Sequence, residues 1–216
     1  MDARPTSNQW DWIYATRDLN AVGWYEPDPV TSRELVAGAM ARGARTIIDV
    51  GGGASRLVDH LLDSDLDRIA VLDISEAGLA VAQHRLGSRA DAVEWIVGDM
   101  AEVQGVGQFD IWHDRAAFHF LLDDASRQRY LALAERTVPV GGVAIIATFA
   151  DDGPERCSGM PVQRYDPADL ARVCGDAFRH ADSRRYLHHT PAGVEQPFQY
   201  SIFERVLSSV GHDART

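Results

Sequence analysis

Residues 47–62 read IIDVGGGASRLVDHLL. Apolar residues bracket an aspartate, three glycines follow in a row, and Leu57, Leu61 and Leu62 then recur on one helical face. A strand that runs through a glycine turn into a helix opens an α/β unit. Glycine loses more backbone entropy on folding than any other residue, so three together mean that the turn needs main chain without Cβ atoms. At the carboxyl end of a strand, such a turn lets the backbone approach a small ligand.

The rest of the chain repeats that unit. Short apolar runs predict strands over 45–50, 68–74, 92–99, 109–114 and 143–149. Helices are expected between them over 54–62, 75–86 with Ser75 as cap, and 123–138 before Pro139. Alternation of this kind predicts a doubly wound, mainly parallel sheet. Beyond 150 the rhythm changes. A long polar loop (150–165) and a short helix (167–175) precede strands at 178–190 and 197–206, which only PAGVEQ separates. Two strands joined that tightly must run antiparallel. The expected fold is therefore α/β, with a mainly parallel sheet of seven strands closed by a C-terminal antiparallel hairpin. Upstream, residues 1–8 read as disordered, 8–16 as a helix, and 30–42 as a helix opened by Pro29 and ended by Gly43. One domain over 1–216 is expected, with an N-terminal segment (1–30), a core (45–150) and a closing part (151–216).

Composition narrows the function. The chain has 216 residues, 21 basic against 32 acidic, and a formal net charge of −11. All the basic residues are Arg, in no run of five or more. Nucleic acid, which demands clustered cations, is not an expected partner. Two cysteines, Cys157 and Cys174, are too few for a disulfide framework and read as free thiols. The N-terminus MDARPTSNQWDW carries no apolar signal segment, and no stretch nears the roughly 18 apolar residues of a membrane span. A cytoplasmic setting and a small-molecule substrate are expected, and oligomeric state is not legible.

The glycine turn does not fit the dinucleotide pattern G-x-G-x-x-G, because Arg56 stands where the third glycine belongs. The pattern present is D-x-G-x-G-x-S: Asp49, Gly51, Gly53 and Ser55. Asp73 stands at the tip of the second strand and Asp99 at that of the third. Three carboxylates on one sheet edge repel a pyrophosphate and suit a ligand bearing ammonium, hydroxyl or other cationic groups.

This constellation, over roughly 45–150, resembles the class I S-adenosylmethionine-dependent methyltransferases, whose Rossmann-like fold has the same seven strands. The resemblance implies S-adenosylmethionine as cofactor and S-adenosylhomocysteine as product. It implies Gly51 and Gly53 under the methionine part, Asp49 near its ammonium, Asp73 at the ribose, and Asp99 with Met100 at the adenine, with Ile74 also a cofactor-binding residue. Farther on, WHDRAAFHFL (112–121) gathers His113, Asp114, Arg115 and His119. It is similar to the D-R-[AG]-A-[LF] segment of thiopurine-type methyltransferases. Trp10, Tyr14 and the Gly23-Trp24 pair resemble the lid with which thiopurine and related thiol methyltransferases cover the cofactor. That likeness implies Trp10, Tyr14, Trp24 and His113 on the cofactor side and Asp114, Arg115 and His119 as catalytic groups. The glycine turn and the CSGMPV loop depart from the thiopurine pattern.

The acceptor expected on this basis is a thiol or other soft nucleophile, such as a chalcogen or metalloid anion, with Arg115 stabilising thiolate and Asp114 or His119 taking the proton. The alternative is an amine, hydroxyl or carboxylate of a small metabolite, with His119 as base. A nicotinamide oxidoreductase is a distant alternative that Arg56 argues against, and a non-catalytic cofactor-binding subunit is another. Cys157, beside Arg156, is a candidate metalloid ligand. No metal site is expected, since His188 and His189 would face opposite sides of a strand.

Overall fold

The structure is a computed structural model, and it describes residues 4–207. The expectation of disorder for residues 1–3 lies outside them. Five strands come first, β1 (Thr46–Val50), β2 (Arg68–Asp73), β3 (Glu94–Val97), β4 (Ile111–Arg115) and β5 (Val143–Phe149), with α-helices between all neighbours in sequence except β3 and β4, which a loop joins. The helices are α1 (Ser7–Thr16), α2 (Val30–Met40), α3 (Leu57–Leu61), α4 (Glu76–Leu86), α5 (Asp124–Thr137) and α6 (Pro167–Cys174). A two-strand ribbon, β6 (Arg156–Cys157) and β7 (Met160–Pro161), interrupts the long loop, and β8 (Phe178–His189) and β9 (Glu195–Arg205) close the chain.

The main sheet has seven strands in the order β3-β2-β1-β4-β5-β9-β8. The first five pair in parallel, β9 runs antiparallel to β5, and β8 runs antiparallel to β9. Direction of winding reverses between β1 and β4, so the crevice beyond their carboxyl ends is the place for a ligand.

Strand alternation sorts the core into two layers. Ile47, Ile69, Val71, Ile111, Ile145, Tyr200 and Ile202 pack beneath α2, α3 and α4 on one face. Ile48, Val50, Leu72, Trp112, Ile146 and Phe203 pack beneath α5 and α6 on the other. The same alternation carries Asp49, Asp73, His113 and Arg115 to the first face and Asp114 to the second.

Several boundaries differ from expectation for local reasons. The α1 helix begins at Ser7, inside the stretch read as disordered, because Thr6 and Gln9 form a reciprocal capping box. The α3 helix begins at Leu57 rather than 54, since the Ser55 hydroxyl accepts from Leu57 N–H and keeps the turn going. A 3₁₀ turn over Gly87–Ala92 takes the start of the third strand. In the 150–165 loop, Ser158 and Gly159 both have positive φ, the geometry of a tight hairpin turn, and this creates the ribbon.

Candidate active site

Two clefts open beyond the strand ends. The first, of about 560 Å³ including its open mouth, is lined by Asp73, Ile74, Asp99, Met100, Trp10 and Phe120 among others. Asp73 ends β2 and is buried; its Oδ1 accepts from Ser75 N–H at 2.8 Å. Burial, augmented by the charge of Asp49, pushes its carboxyl up to about 7 even though backbone N–H groups of Ser75 and Gly53 favour the ion. Asp99 accepts from Ala101 N–H at 2.8 Å and pairs with Arg4 at 2.8 Å, so an arm of the N-terminal segment lies across this cleft.

The α1 helix roofs the site. Trp10 meets Phe120 edge-on at 5.5 Å, and Tyr14 meets Trp24 at 5.7 Å. The sequence α1 needs for this is local: Trp10 and Tyr14 are one turn apart and share a face. Asp11 fastens the helix by accepting from the Ser75 hydroxyl and from Ala77 N–H at the start of α4. Gly53, with φ +40°, is required here: a Cβ would run into the Tyr14 hydroxyl. Burial, then the Asp73 carboxylate, holds the Tyr14 phenol well above its ordinary pKa.

The second cleft, of about 710 Å³ including its mouth, lies toward β9 and is lined by Trp24, Glu26, Ser32, Asp49, His113 and Arg115 among others. His113 Nδ1 sits 2.7 Å from Asp49 Oδ1, and His113 Nε2 sits 2.9 Å from Ser32 Oγ. Ser32 Oγ is in turn 3.1 Å from the Tyr200 hydroxyl. Arg115 Nη1 donates to the Trp24 carbonyl at 3.1 Å, and Nη2 lies 3.1 Å from Glu26 Oε2, out of line for a hydrogen bond. Tyr14, Gly51 and Ala116 line both clefts and form the neck between them. Ala116 has φ +68°, a conformation that costs a residue with a Cβ roughly 1 kcal/mol.

Of the residues the sequence singled out, the structure brings Trp10, Tyr14, Gly51, Asp73, Ile74, Asp99 and Met100 to the first cleft. It brings Tyr14, Trp24, Asp49, Gly51, His113 and Arg115 to the second. Gly53 lies beneath Tyr14. Asp114 and His119 line neither cleft. Asp114 points to the opposite face, where it accepts from Ala117 N–H, Phe118 N–H and the Tyr130 hydroxyl. Burial raises it to about 6. His119 is buried against Phe120 and Phe149 with neither ring nitrogen hydrogen-bonded, and burial lowers it to about 3. A base needs reach to its proton, and these two groups lack it. Cys157 does line the second cleft, but burial pushes its thiol up to about 11, which disfavours thiolate. Glu26, Ser32 and Tyr200 escaped the sequence reading. Nothing local marks them, since their partners lie 81 to 168 residues away along the chain.

Residues 47–142 match the family described as a methyltransferase domain. This segment is a methyltransferase domain. No curated protein matches the chain. Among solved structures, the chain resembles one reported for the conversion of a disulfide bond into a thioacetal group during echinomycin biosynthesis, with TM-score 0.75, 18% identity and coverage of 93% of each chain. It also resembles the N-methyltransferase NodS from Bradyrhizobium japonicum WM9 in complex with S-adenosylhomocysteine, with TM-score 0.70, 13% identity and coverage of 93% of this chain and 99% of that one. The 1,6-didemethyltoxoflavin-N1-methyltransferase of Burkholderia thailandensis overlays with TM-score 0.62, 24% identity, 83% of this chain and 80% of its own. At these identities the likeness is one of fold.

Proposed function

We propose that this methyltransferase domain takes its methyl group from S-adenosylmethionine and delivers it to a small-molecule acceptor held in the second cleft. The observation that carries the reading is the pair of clefts meeting at Tyr14, Gly51 and Ala116, with Asp73 and Asp99 in one and Asp49 in the other. Carboxylates at both ends suit a ligand with an ammonium, a sulfonium and ribose hydroxyls but no phosphate. When bound, the cofactor supplies an electrophilic methyl group on a cationic sulfur. Asp73 holds the ribose hydroxyls, Asp99 the adenine amino group once Arg4 yields, and Asp49 the ammonium. Trp10, Tyr14 and Trp24 exclude water, and the neck sets the line along which the acceptor meets the methyl carbon.

Isothermal calorimetry with S-adenosylhomocysteine and with NAD tests the reading. Binding of the first and not the second is expected; binding of NAD alone would overturn it. A second reading, a thiol, chalcogen or metalloid acceptor, is favoured by one observation. Arg115 Nε and Nη2 are buried in the wall of the second cleft without hydrogen-bond partners, and there they would stabilise an anionic nucleophile. Turnover of a thiol panel against an amine and hydroxyl panel separates the two.

A further inference from the structure

The row Asp49–His113–Ser32 crosses three elements, β1, β4 and α2, and lies buried in the wall of the second cleft. We propose that this row takes up the proton that the methyl acceptor loses, with Ser32 as the group that meets the acceptor and His113 as the store. The proposal rests on the function given above.

With a neutral imidazole, the three contacts are met by one placement of protons. A carboxylate only accepts, so the 2.7 Å contact with Asp49 puts the imidazole proton on Nδ1. His113 Nε2 is then bare and accepts from the Ser32 hydroxyl at 2.9 Å. Ser32 Oγ, having donated its one proton, accepts from the Tyr200 hydroxyl at 3.1 Å. A lone pair remains on Ser32 Oγ. Asp114 and Arg115 follow His113 along β4, but Asp114 faces the other side of the sheet and Arg115 lies against Glu26. A clamp holding α2 to the sheet needs one of these bonds; a row whose inner imidazole nitrogen only accepts has room for one more proton. The third group, Asp49, orients the ring and offsets the charge that forms on it.

In the step, the bond from the nucleophile to the methyl carbon forms as the carbon–sulfur bond breaks, and that electron pair goes to sulfur. The nucleophile's proton passes to Ser32 Oγ while the Ser32 proton passes to His113 Nε2. One positive charge leaves sulfur and one appears on the imidazole, beside Asp49, so the charge held by the site is unchanged.

Three measurements on the full chain test this. Nitrogen-15 NMR of labelled histidine near neutral pH should show His113 protonated on Nδ1 and bare on Nε2, with the Nε2 signal displaced in Ser32→Ala. A proton on Nε2, or on both nitrogens, overturns the relay. Calorimetry with S-adenosylhomocysteine should show binding by the wild type and by Ser32→Ala; its failure in the wild type removes the methyltransferase reading, while the NMR result still decides the row. Turnover of catechol, 2-mercaptoethanol and benzylamine is then compared with that of iodide, which has no proton to lose. In Ser32→Ala the ratio of protic to iodide turnover should fall tenfold or more, and it should recover in Ser32→Thr and at raised pH. An unchanged ratio, or no protic turnover by the wild type, overturns the proposal.

Discussion

Adjacent residues on β4 do unlike work because a strand turns successive side chains to opposite faces. His113 and Arg115 enter the second cleft, whereas Asp114 between them accepts three hydrogen bonds in the other layer and ties the end of β4 to α5 through Tyr130. Replacing Asp114 by Ala strands two N–H groups and a phenol, and should lower unfolding stability in urea by about 3 kcal/mol. The acidic strand tips were legible in the sequence, but the separation was not read: likeness to a known segment grouped Asp114 with Arg115, although period two along β4 parts them. Glu26 and Ser32 were not legible, because tertiary contact rather than pattern gives them partners. Asp73 makes a prediction of its own. With its carboxyl near 7 in the free protein, the ion, the form proposed to accept ribose hydroxyls, is in the minority at pH 6 and dominant at pH 8. S-adenosylhomocysteine should therefore bind several-fold more tightly at pH 8 than at pH 6, and Asp73→Asn should bind weakly at both, by calorimetry.

At the scale of elements, α1 is held by its cap, by the bonds of Asp11 to the start of α4 and by aromatic edges rather than by a broad apolar face, since Ile13 is its one buried residue. The capping box is therefore a large part of its stability. Thr6→Ala should cost about 1 kcal/mol locally. Hydrogen exchange over residues 7–16 should speed up severalfold and dissociation of S-adenosylhomocysteine should quicken, with the midpoint of global unfolding unmoved. Trp10 and Tyr14 announced the helix through their spacing. The β6–β7 ribbon was harder to read, although Ser-Gly is a turn signal, because two-residue strands leave no periodicity to detect.

Across the whole molecule, alternation of strand and helix made the seven-stranded sheet and its terminal hairpin readable, since each turn of the pattern is local. Which walls meet above the sheet is set by side chains from residue 4 to residue 200, and no window of sequence contains them. The sheet also buries ionisable groups whose effects on stability oppose one another. His119 is neutral in the fold and titrates near 3, so its contribution is present above the ordinary histidine value of 6.5 and is lost as pH falls toward 3. Asp73 and Asp114 have raised values, so theirs is present below 3.8 and is lost as pH climbs through about 7 and about 6. In His119→Phe the gain over the wild type should be larger at pH 4.5 than at pH 7 by roughly 2 kcal/mol, measured by urea unfolding.

The constriction between the clefts governs what could ever bridge them. A synthetic compound carrying a nucleoside at one end and an acceptor mimic at the other must thread its tether past Tyr14, Gly51 and the left-handed Ala116. Slender linkers would pass and bulky ones would not, so the waist of the site, more than either chamber, sets the gauge for any bisubstrate inhibitor.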